Sequence, residues 1–170
     1  MTLPTQSYAP ADIWAPIISV FIANTLLYVV GQILKDNSIV DITWGFMFLI
    51  PNAVVWIINS NTTQVSIACN VLLLVWALRM AIYNISRHHG EEWRYRNMRA
   101  DFVAKGGPRM YYVLAYVFIY FMQSIFQLII NSPALFLSIW STTGGTSTPQ
   151  FIIGVILASL GLLIETIADL

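Results

Sequence analysis

The sequence predicts an all-α fold, a multi-pass transmembrane helix bundle of about five spans. Of its 170 residues, 58% are hydrophobic and 9% are charged, and the mean hydropathy is +0.71. An average soluble domain carries about 25% charged residues, so this chain has too few to cover a water-facing surface. We therefore expect residues 1–170 to form a single transmembrane domain.

Composition also excludes several classes of function. The formal net charge is +0, without the basic surplus of a nucleic-acid binder, and we expect no nucleic-acid partner. The single cysteine, Cys69, excludes a disulfide framework and a thiolate metal site. We expect no metal in this protein, and the bilayer as its first partner.

Five apolar stretches approach the roughly 20 residues that a helix needs to cross a hydrocarbon core about 30 Å thick. In chain order they are Ile13–Leu34, Ile42–Ile58, Val65–Tyr83, Tyr111–Ile130 and Phe151–Ala168. Pro51 interrupts the second stretch. Residues Pro133–Trp140 are apolar but too short to cross, and we interpret them as a continuation of the fourth span or an interfacial segment. Residues Ser141–Pro149 are a turn-like linker.

The charged residues segregate in this five-span arrangement. All 8 lysines and arginines fall on or next to the side that receives residues 35–41, residues 84–110 and the end of the chain. The positive-inside rule places that side in the cytosol or the mitochondrial matrix. We expect an integral protein of the mitochondrial inner membrane or the endoplasmic reticulum, although this asymmetry sets orientation in any membrane protein and implies no chemistry.

Residues 84–110 are predicted to form a basic juxtamembrane loop with a short interfacial helix after Gly90. Glu92 and Arg96 are four residues apart, a spacing that supports such a helix. Three arginines, Arg94, Arg96 and Arg99, lie within six residues. They make a phosphate clamp or, alternatively, a segment attracted to anionic lipid headgroups.

Two adjacent histidines, His88 and His89, precede that helix. A histidine changes charge near neutral pH, so the pair is a candidate pH switch or general acid. The alternative is a solvated pair in a loop, because the sequence assigns it neither a third ligand nor an orienting acid.

Four ionisable residues lie deeper in the spans: Asp41, Arg79, Glu165 and Asp169. Glu165 and Asp169 are one helical turn apart and therefore share a helix face. Charged groups at such depth face the bundle interior or a watery cavity and have a partner. Two interpretations stay open: Arg79 pairs with Asp41 or Glu165 to fix packing, or the group lines a pocket for an anionic ligand.

Two further patterns concern helix packing. A polar stripe on the fourth span predicts hydrogen bonds between helices, with the wall of a ligand cavity as the alternative, and it comprises Gln123, Gln127 and Asn131. Small residues recur in the fifth span and predict close packing there: Gly154, Ala158 and Gly161.

Several strings occur in a specific order along the chain. They are Asp41-x-x-Trp44-Gly45, Arg79, Gly90-Glu91-Glu92-Trp93-Arg94-Tyr95-x-x-Met98-Arg99, Gln123 and Glu165-x-x-Ala168-Asp169. Together they resemble the steroid 5-alpha-reductase C-terminal-domain superfamily, in its branch of uncharacterised multi-pass membrane proteins. The resemblance runs from about Gly31 to the end of the chain.

The resemblance implies a helical membrane protein that holds NADPH at its cytosolic face and reduces a carbon–carbon double bond in a lipid-like enone such as a steroid. It leaves the catalytic residue unassigned. The cofactor-binding residues that it implies are Arg94, Arg99, Glu165, Asp169, Asp41, Arg79 and Tyr95. In this picture Arg94 and Arg99 approach the cofactor phosphates, and Glu165 and Asp169 contact its other polar groups.

Members of that superfamily continue beyond the final Ala-Asp motif into further spans and an Arg-His-Pro-Asn-Tyr string. The present sequence ends at Leu170, and relative to the family we expect it to lack the C-terminal third. Three explanations are open: a second polypeptide supplies the rest, the sequence is cut short, or the chain is a non-catalytic accessory subunit. In the last case its partners are neighbouring subunits of a membrane complex, such as one of the mitochondrial respiratory chain.

Overall fold

The computed structural model describes residues 11–59, 63–140 and 149–169. These residues form six α-helices and no strand. The helices are α1 (Ala11–Leu34), α2 (Ile39–Asn59), α3 (Gln64–Arg87), α4 (Trp93–Ala115), α5 (Met122–Trp140) and α6 (Pro149–Ala168). A π-helical segment, Tyr116–Phe121, joins α4 to α5. The predicted linker lies outside the described residues except for its last position.

Five helical segments of the described chain are long and apolar enough to cross a membrane. They are Asp12–Leu34, Ile39–Asn59, Gln64–Arg87, Trp93–Trp140 and Pro149–Ala168. The predicted all-α, multi-pass architecture of about five spans is therefore confirmed, and it is that of an integral membrane protein.

Prolines do not end these helices. Helix α2 passes through Pro51 without interruption, and α5 passes through Pro133 to Trp140, which confirms that Pro133–Trp140 continues the fourth span. Proline lacks the N–H that would bond the carbonyl four residues earlier, which for Pro133 is that of Ile129. The Ser132 hydroxyl donates to the Ile129 oxygen instead (2.8 Å), and such side-chain replacement makes proline tolerable in a membrane helix.

The predicted loop at 84–110 is wrong in length, because only residues 88–92 separate α3 from α4. The helix predicted after Gly90 does exist and begins at Trp93. It breaks at Gly106 and Gly107, where Gly107 has φ 75° and ψ −178°. A positive φ favours glycine, and the extended ψ suits the residue before Pro108. The charged residues 93–105 therefore form a helical arm, distinct from the span that follows Pro108.

The main core lies where α1, α2 and α4 meet the π-helical segment. Val40, Ala115 and Tyr120 are fully buried there. Helices α2 and α3 approach closely at Gly45, where an added Cβ would lie 2.8 Å from the Cα of Ala77. Glycine is thus required at position 45 by backbone contact, as is typical of tightly packed membrane helices.

Hydrogen bonds cross between helices at the predicted polar stripe. They run from Asn24 Nδ2 to Gln127 Oε1 (2.8 Å), from Trp44 Nε1 to Gln123 Oε1 (2.9 Å) and from Asn52 Nδ2 to Asn131 Oδ1 (3.2 Å). The prediction that this stripe serves helix-to-helix hydrogen bonding is confirmed.

The close packing predicted for the small residues of α6 is wrong within the described chain. Added Cβ atoms at Gly154 and Gly161 would meet nothing within 4 Å, and Ala158 is exposed. Helix α6 packs against α3, but even its least exposed apolar positions, such as Phe151 and Val155, are only partly buried, so the contact between the two helices is too loose to bring a backbone up against these small residues. No residue of α6 is fully buried.

Candidate ligand-binding site

A cavity of about 690 Å³ lies where the start of α2, the end of α3, residues 88–92 and the start of α4 meet. Its apolar lining consists of Ile42, Trp44, Met80 and Trp93. More of the lining residues are polar: Ser38, Asp41, Tyr83, Asn84, Arg87, His88, His89, Glu91, Glu92, Arg94 and Arg96. Ligand pockets typically enclose about 300–1,000 Å³, so the cavity has the size and polarity of a site for a charged small molecule.

One wall of the cavity is built around Arg94. Glu92 binds its guanidinium through both carboxylate oxygens, from Nε at 2.7 Å and from Nη2 at 2.6 Å. Asp41 on α2 lies 3.3 Å from Nη2 and also accepts the hydroxyl proton of Tyr95 (2.9 Å). The hydrogen bond from Arg94 holds the pKa of Glu92 below its usual range. The structure thus brings together three of the predicted site residues: Asp41, Arg94 and Tyr95.

Arg99 does not line the cavity. Its guanidinium donates to both oxygens of Glu91 (2.6 and 3.2 Å) and to the main-chain oxygen of Lys35 (3.1 Å). It also lies over the ring of Tyr111, with Cζ 4.8 Å from the centroid. Its contacts therefore tie the α4 arm to the end of α1.

Beneath Arg99 lies a buried polar network that sequence reasoning missed. Asn37 is fully buried, and its main-chain N–H and side-chain amide both donate to Glu91 Oε1 (3.1 and 3.0 Å). Its amide also donates to the Tyr111 hydroxyl (2.9 Å), while its oxygen accepts from Gln32 (2.9 Å) and Tyr120 (3.2 Å). The Asp-Asn-Ser composition of the connection, typical of turns that bond backbone groups, is the signal that could have found it.

His88 has an acidic partner that the sequence did not assign. Its Nε2 lies 3.0 Å from Oδ2 of Asp36. The other oxygen of Asp36 accepts from the main-chain N–H of Ser38 (2.8 Å) and from the Ser38 hydroxyl. His88 is therefore held in the cavity wall, and the alternative of a solvated pair is wrong for it. His89 is exposed, with Nδ1 2.8 Å from the main-chain oxygen of Arg87.

The remaining predicted site residues form a separate cluster between α3 and α6. Arg79 is bound by Asp169 (2.5 Å) and by Glu165, and Trp76 Nε1 donates to Glu165 Oε2 (3.1 Å). The prediction that Arg79 pairs with Glu165 is confirmed. This cluster does not line the cavity, although the ring of Trp76 packs 6.2 Å from Trp44 on the cavity floor.

The donor set of the cavity suits phosphate groups. Within residues 11–59, 63–140 and 149–169, no carboxylate forms a salt bridge with Arg87 or Arg96, and both residues contribute to the cavity lining. Guanidinium forks bind phosphate oxygens in pairs. The same described residues contain no group of three or more histidine, cysteine, aspartate or glutamate side chains that could hold a metal ion.

Fold and site together define a multi-pass helical membrane protein with a cavity lined by charged residues at one end of its bundle. Residues 27–170 match the family described as Protein of unknown function (DUF1295), and the chain belongs to that family. Searches of curated proteins and of solved structures found no match.

Proposed function

We propose that the protein is a membrane-embedded reductase of the steroid 5-alpha-reductase type, which binds NADPH in the cavity and reduces a carbon–carbon double bond in a lipid-like enone. The observation that carries this proposal is the cavity lined by three arginines, Arg87, Arg94 and Arg96. The type of reaction is inferred from the ordered sequence strings by which the chain resembles that superfamily.

The residues that line the cavity would have different roles in binding the cofactor. Arg87 and Arg96 would hold the phosphates, since neither is paired with a carboxylate of the described chain. Trp44 and Trp93 offer aromatic surface for ring systems. A bound nicotinamide supplies the hydride. Arg94 is fixed by Glu92 and Asp41, so it contributes a positioned positive charge.

The membrane position of the bundle suits a lipid-like substrate. The cavity opens at the charged ends of α2, α3 and α4, where water-soluble cofactor and membrane-dissolved substrate can meet. By the positive-inside rule, this end faces the cytosol if the protein lies in the endoplasmic reticulum, and the matrix if it lies in the mitochondrial inner membrane.

NADPH titration of the purified protein in zwitterionic nanodiscs tests the cofactor assignment. Trp93 is exposed and lines the cavity together with Trp44, so saturable quenching that is reduced in Trp93→Phe is expected. Arg87→Ala and Arg96→Ala should each weaken binding about tenfold or more, because a lost charged hydrogen bond is worth about 1.5–3 kcal/mol.

Arg109→Ala is the matched control, because Arg109 is exposed and lies outside the cavity lining. Its affinity for NADPH should equal that of the parent protein. Absence of saturable binding, or equal weakening by Arg109→Ala, would contradict the proposal.

A non-catalytic accessory subunit is the second candidate function. It is favoured by the ion pairs of Arg79, Arg94 and Arg99, all of which are already bound by carboxylates of the same chain. In that role the residues of the shared strings would form structural ion pairs that keep the chain packed against neighbouring membrane subunits. Two results together would favour this role. NADPH fails to bind, and the same neighbouring subunits copurify with the parent protein but not with Arg79→Ala.

A further inference from the structure

The fixed charges that line the cavity cancel. Three arginines face three carboxylates: Arg87, Arg94 and Arg96 against Asp41, Glu91 and Glu92. Behind the lining, Asp36 adds a negative charge against His88, and Arg99 adds a positive charge that is bound by Glu91. With both histidines neutral, a phosphate-bearing ligand thus enters a site without net positive charge, and long-range attraction is absent.

The histidines therefore decide the sign of the charge in the cavity. Their positions are not equivalent. His88 is partly buried and fixed by Asp36, which is itself held by Ser38. His89 is exposed and bonds to main chain, so water and salt screen its charge. A proton on His88 acts on a bound anion more strongly than one on His89.

Other titratable groups also lie near His88. They are Asp36 from the α1–α2 connection, Asp41 from α2, Tyr83 from α3 and the adjacent Glu91 and Glu92. Carboxylates and phenols ordinarily titrate several pH units away from neutrality, whereas histidine titrates close to it.

We propose that this cavity binds its phosphate-bearing ligand together with one proton, and that His88 is the group that takes the proton up. The proton comes from solvent and converts a neutral imidazole to an imidazolium, with no other bond made or broken. The identity of the ligand as a dinucleotide rests on the proposed function, but the proton coupling requires only a phosphate.

Calorimetry on the full chain in zwitterionic nanodiscs tests the proposal with three probes. They are NADPH, ADP-ribose as a nicotinamide-free diphosphate, and dihexanoyl phosphatidylglycerol as a lipid phosphate. Titrations in buffers of different ionisation enthalpy count protons. Between pH 7 and 8.5 the probes are about nine-tenths or more ionised, since the one phosphate monoester among them, that of NADPH, has a second pKa of about 6 and the bridging phosphates of the others are stronger acids. We expect uptake approaching one proton and up to a tenfold loss of affinity per pH unit.

His88→Gln should abolish the uptake and the pH dependence, while the matched His89→Gln should keep both. Asp36→Asn is a second variant, which removes a negative charge beside the site and should raise affinity severalfold at pH 8.5. The chain has 2 histidines, so the ¹⁵N-histidine spectrum of His89→Gln reports on His88 alone. Ligand addition at pH 8 should move that signal toward the imidazolium position.

The outcomes separate this inference from the proposed function. NADPH binding without proton uptake, or with uptake unchanged in His88→Gln, overturns the inference and leaves the reductase proposal standing. Proton uptake through His88 with ADP-ribose or the lipid, but no binding of NADPH, supports the inference and contradicts the proposal that NADPH is the cofactor. If no probe binds, both are overturned.

Discussion

Glu91 Oε1 accepts two hydrogen bonds from a single residue, Asn37, one from its main-chain N–H (3.1 Å) and one from its side-chain amide (3.0 Å). Glu91 also binds Arg99 through both carboxylate oxygens. The segment that closes the cavity is therefore attached at one carboxylate to the α1–α2 connection and to the α4 arm.

Glu91→Ala should destabilise the protein by about 2–3 kcal/mol, since it leaves the buried Asn37 and the Arg99 guanidinium without their acceptor. Glu91→Gln keeps one acceptor oxygen and should cost less. Unfolding in mixed micelles measures both. Asp101→Ala, at an exposed position, is the control and should stay within about 0.5 kcal/mol of the parent. Equal effects at positions 91 and 101 would exclude the attachment described above.

Gly45→Ala should separate α2 from α3, because the new Cβ would meet the backbone of Ala77 at 2.8 Å. Overpacking of this kind typically costs about 1–3 kcal/mol. The control is Gly154→Ala in α6, where an added Cβ meets nothing within 4 Å, and we expect a neutral or stabilising effect there. Unfolding measurements in which the two variants behaved alike would refute the close approach.

Lys35→Gly should stabilise the protein by about 0.5–1 kcal/mol, because a non-glycine residue in the left-handed region is strained. Lys35 has φ 56°, and the following N–H bonds the oxygen of Gly31 (2.9 Å), which is the geometry of a glycine helix stop. The control change Ala100→Gly lies in the interior of the α4 arm and should cost about 1 kcal/mol. A thermal shift downward for Lys35→Gly would disprove this.

Acid titration should show the effect of Arg94 on Glu92. The pKa of Glu92 is lowered in the folded protein, so its stabilising contribution is present above the pKa of the unfolded chain. That contribution is lost as pH falls through the folded value. In Arg94→Gln the pKa of Glu92 should rise toward its usual range, which ¹³C NMR of the carboxyl carbon can follow. An unchanged midpoint would show that the ion pair does not form in solution.

The spans were predictable from sequence because lipid requires long apolar helices, and hydropathy reports this directly. Within residues 84–110 the helix after Gly90 was predictable from the spacing of Glu92 and Arg96, but its length was not. The basic residues read as loop sequence, whereas residues 93–105 form a helix whose buried face includes Tyr95 and Phe102. Hydropathy averaged over a window does not separate such an arm from a loop.

Contacts between distant residues account for what the sequence left open in the site. His88 contacts Asp36, which is more than fifty positions away in the sequence. Arg99 forms a salt bridge with Glu91 and does not line the cavity. By contrast, Glu165 and Asp169 were predictable as a pair because helical spacing alone puts them on one face. Local periodicity thus identifies which side chains share a face, but only the folded chain decides which faces meet.

The break at Gly106 and Gly107 separates the direction of the α4 arm from that of the span after Pro108. The arm is anchored instead by Tyr95, which donates to Asp41, and by Arg99, which donates to Glu91. The position of Arg94 and Arg96 at the cavity is therefore set by these polar attachments and not by the tilt of the span in the bilayer.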